Sequence, residues 1–121
     1  MEYNSYMSEI MNEGTSFIVS KDMAWSSPSP GVTRQILAHS PDMMVVRVAF
    51  EKGAVGAAHS HPHVQMSIVE EGVFDITING ETRQIGKGDG YLVEGGVVHG
   101  AVALEAGALL DVFTPRRDDF L

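Results

Sequence analysis

Cysteine is absent from the 121 residues, which excludes disulfides, a thiolate metal site and a thiol nucleophile. Basic residues are scarce: Lys and Arg number 8 against 16 Asp and Glu, a formal net charge of −8. A chain this acidic repels phosphate backbones and anionic bilayers, so neither nucleic acid nor a membrane is an expected partner. Long apolar runs are missing, and none approaches the roughly 20 residues of a membrane-spanning helix. The opening stretch "MEYNSYMSEI" has neither a basic n-region nor an apolar h-region, so no secretory signal is read there and a cytoplasmic location is expected. The length suits one domain, large enough to bury roughly two-thirds of its unfolded surface without staples.

Helical periodicity is nearly absent as well. It appears only in residues 1–14, where Tyr3, Met7, Ile10 and Met11 form one stripe of a short helix that "NEG" would end at Gly14. These residues read as an N-terminal appendage, and residues 15–121 as the domain. "WSSPSPG" at 25–31 reads as a loop, because Pro28 and Pro30 cannot join a central strand. From Val32 onward the text is β. "VTRQILAH", "MMVVRVAF", "YLV", "VVHGAVAL" and "ALLDVF" are short and rich in branched residues, with "SPD" and "GKGDG" as turns. Asn79-Gly80 marks a hairpin inside "VQMSIVEEGVFDITINGETRQIG". The fold class is therefore all-β, an antiparallel sandwich or small barrel.

Histidine is rare, five in all, yet three fall in "HSHPHVQ" at 59–65. Side chains alternate in a strand, so a straight strand puts His59, His61 and Gln65 on one face. His63 shares that parity, with Pro62 placed to turn it aside. Nitrogen ligands on neighbouring pleats suit a borderline divalent metal, and His99 in "GGVVHG" offers another imidazole from a later strand.

The framing residues carry a resemblance. From Gly53 to Gly72 the chain reads glycine, five residues, His59, one, His61, three, Gln65, six, Gly72. This resembles the first cupin motif, G-x5-H-x-H-x3-E-x6-G, with glutamine in the glutamate position. "GDGYLVEGGVVH" resembles the second, G-D-x4-P-x-G-x2-H, through Gly88, Asp89, Gly96 and His99, with Glu94 where proline is usual. The resemblance implies a single cupin (jelly-roll) barrel over 15–121 and one divalent metal ion, nickel, zinc, iron, cobalt or manganese, on His59, His61, Gln65 and His99. "RQILAHSPDMMVVRVAFEKGAVGAAHSHPHVQ" and the tail "GALLDVFTPRRDDFL" are similar to the KdgF-type pectin-degradation proteins. That likeness implies an enzyme acting on 4,5-unsaturated monouronates, the small anionic sugars left by pectate and alginate lyases. It converts them to the linear, ketonised 4-deoxy-5-keto-uronate. A homodimer is the family habit, and the apolar outer parity of the strands permits one.

Within that frame the residues take roles. Neutral Gln65 in place of a carboxylate leaves the site at a formal charge of +2 with a divalent ion, a stronger Lewis acid and a better host for an anion. The enol oxygen that leaves on ring opening and the adjacent carboxylate can chelate one metal. Asp111 shares a face of "ALLDVF" with Leu109 and Phe113. A carboxyl on so apolar a strand is either a structural group bonded to backbone or, as the tail match favours, the general acid/base. Phe113 is a sugar platform or core. Arg117 is an anion clamp, or a solvated partner of Asp118 or Asp119. Arg47 is a second anion contact if its face of "VVRVAF" lines the barrel, and a surface residue otherwise. Tyr91 is pocket or core, and His63 a ligand or a pocket wall that donates to substrate. His39 reads as a surface turn residue. The rivals are a metal-dependent cupin dioxygenase and a non-enzymatic ligand-binding or sensor cupin. An enzyme of the proposed kind requires Asp111 to face the metal cavity.

Overall fold

A computed structural model describes residues 16–121. The expected N-terminal helix lies outside the described residues. Ten strands follow: β1 (Ser26–Ser29), β2 (Val32–Ser40), β3 (Met43–Phe50), β4 (Val55–His59), β5 (Val64–Glu71), β6 (Val73–Ile78), β7 (Glu81–Gly86), β8 (Gly90–Val93), β9 (His99–Ala103) and β10 (Gly107–Thr114). Single 3-10 turns sit at Ser20–Asp22 and Asp118–Phe120. One sheet runs β1-β2-β3-β10-β5-β8 and the other β4-β9-β6-β7. Every pairing is antiparallel, and the two sheets face each other as a jelly roll, as the alternating pattern requires.

Local chemistry accounts for the turns. Asn79 and Gly80 both have positive φ, 49° and 82°, the geometry of a tight hairpin whose twist matches β6 and β7. The stretch 25–31, expected as a loop, instead contributes β1. It pairs with β2 through an irregular register and lies at the sheet edge. An edge strand needs no ladder bond on its outer side, which is where Pro28 is tolerated.

The sandwich interior has two chemically different ends. At one, Val32, Phe50, Val69, Phe74, Ile76, Ala101, Ala103 and Leu109 form the main core. Phe50 meets Phe74 edge-to-face with centroids 5.2 Å apart, and Phe74 is fully buried, so truncating it to alanine would cost about 3–5 kcal/mol. At the other end the interior is polar: His61, Gln65, Ser67, His99, Asp111 and Arg117 are all buried, whereas Gln35 is buried on the outer face of β2, where it donates to the Ser20 and Met23 carbonyls. β10 links the two ends. Its inward residues are Leu109, Asp111 and Phe113, and it is hydrogen-bonded on both sides, to β3 and to β5. Apolar packing at Leu109 fixes the strand that carries Asp111.

Candidate metal centre and active site

The histidines do not share one strand, as a straight reading of "HSHPHVQ" expected. His59 closes β4 in the four-stranded sheet, Gln65 is the second residue of β5 in the six-stranded one, and His61 lies in the connection between them. Pro62 breaks the pleat, and the chain crosses from one sheet to the other there. His99 opens β9 directly opposite His59 in the ladder. The His61 carbonyl accepts from the Gly96 amide at 2.8 Å. The adjacent Gly95 must lack a side chain, because the Pro62 carbonyl oxygen sits where its Cβ would be.

Three imidazoles converge: the ligating nitrogens of His59, His61 and His99 lie within 4.8 Å of one another. Each ring is held through Nδ1, which donates to a backbone carbonyl: Ala57 at 2.8 Å for His59, His63 at 3.1 Å for His61 and Val97 at 2.9 Å for His99. That bond fixes the tautomer and leaves Nε2 bare. The Nε2 atoms of His61 and His99 stand 3.0 and 3.1 Å from Oε1 of Gln65. The Gln65 amide cannot flip to meet them, because its NH2 donates to Ser67 Oγ at 2.9 Å. Lone pairs therefore face one another without a proton between them, an arrangement that a cation satisfies. Burial lowers the pKa of His61 and of His99, with the charge of Arg117 adding to the effect, which favours the neutral form that binds metal. This donor set fits a divalent ion such as nickel, zinc, iron, cobalt or manganese.

His63 stands apart from these three. Its carbonyl orients His61, its ring meets Phe113 with centroids 6.5 Å apart, and its Nδ1 is buried with no partner among the described residues. His63 is neither one of the three converging imidazoles nor among the residues that line the cavity described below.

Behind Gln65 runs a polar chain. Ser67 Oγ accepts from Gln65 and donates to Asp111 Oδ1 at 2.6 Å. Asp111, Ser67 and Tyr91 lie side by side across β10, β5 and β8. Burial raises the Asp111 pKa to about 6, against the pull of the Ser67 bond and of the nearby His59 and Arg117. Burial, and then the charge of Asp111, also push the Tyr91 hydroxyl upward. Ser67, fully buried, went unnoticed in the sequence because a serine in an apolar strand carries no motif.

A cavity of about 240 Å³ opens over this group, lined by His59, Gln65, Tyr91, His99, Asp111 and Phe113 among others. Phe113 lies beside Gln65 in the ladder, and its ring edge meets His61 at 5.6 Å. Arg117 is buried and reaches the same cavity. Its fork is held by Asp119 through bonds of 3.0 and 2.7 Å, and its guanidinium lies 4.2 Å over Phe120. Arg47 is a correction: it points to the other face of β3, where Glu70 takes a bidentate bond of 2.8 and 3.1 Å and Gln35 a third at 3.1 Å. Val46, Val48 and Phe50 took the inward parity, so Arg47 does not line the histidine cavity. The inward guanidinium of this sheet belongs instead to Arg34 on β2, which lines the cavity and lies 3.9 Å over Phe120. The sequence reading missed it because nothing in "VTRQILAH" distinguishes its two faces. His39 lies away from the cavity, with Nδ1 3.4 Å from Arg116.

A small antiparallel barrel with three histidines and an amide converging inside is the cupin arrangement. The family model for the cupin domain matches residues 46–113, and the chain belongs to that family. Within it the chain is 39% identical over 107 residues to the pectin degradation protein KdgF of Dickeya dadantii (strain 3937), covering 87% of this chain and 97% of that one. The structure of KdgF from Halomonas sp. matches with a TM-score of 0.84 and 43% identity, over 88% of this chain and 99% of that chain. An RmlC-like cupin from Shewanella frigidimarina matches at 0.87 and 35% identity, over 92% of this chain and all of that one (100%). Among the described residues, no helix is long and apolar enough to cross a membrane.

Proposed function

We propose that this protein is a metal-dependent enzyme of pectin and alginate breakdown, acting in the cytoplasm. It converts 4,5-unsaturated monouronates to linear, ketonised 4-deoxy-5-keto-uronate. Its similarity to a pectin degradation protein supports the setting. The observation that carries the reaction is Asp111: a buried carboxyl on the wall of the histidine cavity, joined through Ser67 to Gln65. A binding module has no use for a proton carrier in that position.

The reaction is an isomerisation. The hemiacetal hydroxyl loses its proton, the bond from the anomeric carbon to the ring oxygen breaks, and the anomeric carbon becomes an aldehyde. The ring oxygen keeps the electron pair as an enolate oxygen, and the enolate then takes a proton on carbon to become the ketone. No water is consumed. Asp111, with a pKa of about 6, is poised near neutrality to take the hydroxyl proton and return it to carbon. Ser67 keeps its Oδ1 fixed, leaving Oδ2 for substrate. Phe113 and Tyr91 flank the ring, and Arg117 is an anion contact once Asp119 yields. A divalent ion held by His59, His61, Gln65 and His99 would supply Lewis acidity for the oxygen on which charge develops.

We also propose a homodimer through the outer face of the six-stranded sheet. Val45, Val112, Met66 and Leu92 form one apolar row across four adjacent strands, with Leu92 56% exposed, a surface suited to meeting its own copy.

The deciding assay follows loss of the absorbance of an unsaturated monouronate, with protein, with protein stripped by chelator, and after metal is restored. Turnover that chelation abolishes and metal restores is expected. An unchanged absorbance with fully loaded protein would refute the reading.

A further inference from the structure

Among the described residues, two guanidinium groups, Arg34 and Arg117, and one carboxylate, Asp111, line the cavity, and Asp119 outside the lining acts on both arginines. Their states differ. Arg117 gives Nε and Nη2 to Asp119, so its fork is occupied. Arg34 is partly buried on the inner side of β2, opposite Val48 in the ladder. Its guanidinium stacks on Phe120 and has no hydrogen-bonded acceptor among the described residues. Stacking on a ring satisfies the face of a guanidinium but none of its five N–H donors, which lie in its plane. A partly dehydrated fork with its donors unused, in a chain whose net charge is −8, is a site for an anion, and the planar partner that matches it is a carboxylate.

We infer that Arg34 is the residue that reads the negative charge of the substrate. Building on the uronate reading above, it receives the sugar's carboxylate and makes the cavity prefer uronic acids over neutral sugars. A carboxylate offers about four acceptor positions on its two oxygens, so a contact with Arg34 leaves others for a second cation. Phe120, set by the turn Asp118–Phe120, holds the guanidinium flat. Arg34 is thus a specificity residue outside both histidine motifs, on a strand that contributes nothing else to the metal centre.

Calorimetric titration of the metal-loaded protein with galacturonate and with galactose tests this, alongside steady-state kinetics on an unsaturated monouronate. Arg34→Gln is expected to weaken galacturonate about tenfold to a hundredfold, the usual span for a lost charge-assisted bond, while galactose binding stays unchanged. In kinetics KM rises by a similar factor and kcat stays within a few-fold. Arg34→Lys, which keeps the charge but not the fork, falls between. Equal weakening of both sugars, or of neither, overturns the inference while wild-type turnover leaves the uronate reading standing. A wild type that neither turns over the monouronate nor prefers galacturonate to galactose overturns both. Circular dichroism and metal content guard against a misfolded Arg34→Gln, in which case the selective loss must appear in Arg34→Lys.

Discussion

Asparagine at position 111 keeps the size and one acceptor oxygen of the aspartate but loses its charge and its proton. Burial holds the Asp111 pKa at about 6 against an ordinary 3.8, so the ionised carboxyl costs the folded state up to about 3 kcal/mol at neutral pH. The sign follows from linkage. Below about pH 4 the carboxyl is protonated in both folded and unfolded chains, and the cost is absent. Between about pH 4 and 6 the folded state holds the proton more tightly, so wild-type stability falls as pH rises; above that the penalty is constant. The incoming amide NH2 needs an acceptor and loses about 1 kcal/mol or more if it finds none, but that loss does not change with pH. Urea denaturation of both metal-free proteins therefore isolates the effect. The stability of Asp111→Asn relative to wild type is expected to rise by about 2–3 kcal/mol from pH 4 to pH 7. Over the same substitution, turnover on an unsaturated monouronate drops by about two orders of magnitude or more, with metal content intact. A stability difference that stays flat with pH, or falls, would show that Asp111 is not held in a costly state. Turnover within a few-fold of wild type would remove it from the chemistry.

The other predictions address the metal, its glutamine and the assembly. His61→Ala is expected to lose most bound metal on dialysis while His39→Ala retains it, measured by elemental analysis; equal content would remove the ligand assignment. Gln65→Glu keeps the metal but slows turnover about tenfold or more by lowering Lewis acidity. It also sets two carboxylates, at 65 and 111, competing for the single hydroxyl proton of Ser67, and kinetics at matched metal loading checks the outcome. Leu92→Lys places a charge in the outer apolar row and is expected to convert a dimer to a monomer by light scattering, with the fold unchanged by circular dichroism; a wild type that is already monomeric refutes the proposed interface.

Much of this molecule was legible from local chemistry. Alternation and turn residues marked most strands, and "MMVVRVAF" coincides with β3. The clustering of scarce histidines suggested a metal site, and the resemblance to the two cupin motifs pointed to His59, His61, Gln65 and His99 as its donors. The parity of "ALLDVF" put Leu109, Asp111 and Phe113 on one face, and they are the inward residues of β10. What a period of two cannot say is which face is inside. Arg34 and Arg47 stand in similar apolar strands, and only the ladder shows that Arg34 is paired with inward Val48 while Arg47 is paired with outward Gln35. A register shift between Ile36 and Ala38 further breaks any parity carried along β2. Nor could spacing show that Pro62 carries the chain from one sheet to the other, so that His59 and Gln65 meet across the sandwich instead of along a strand. Residue identity determined the donors available to a metal. Long-range pairing decided which polar groups share the cavity, because contacts such as Ser67 to Asp111, 44 positions apart, exist only once both sheets have closed.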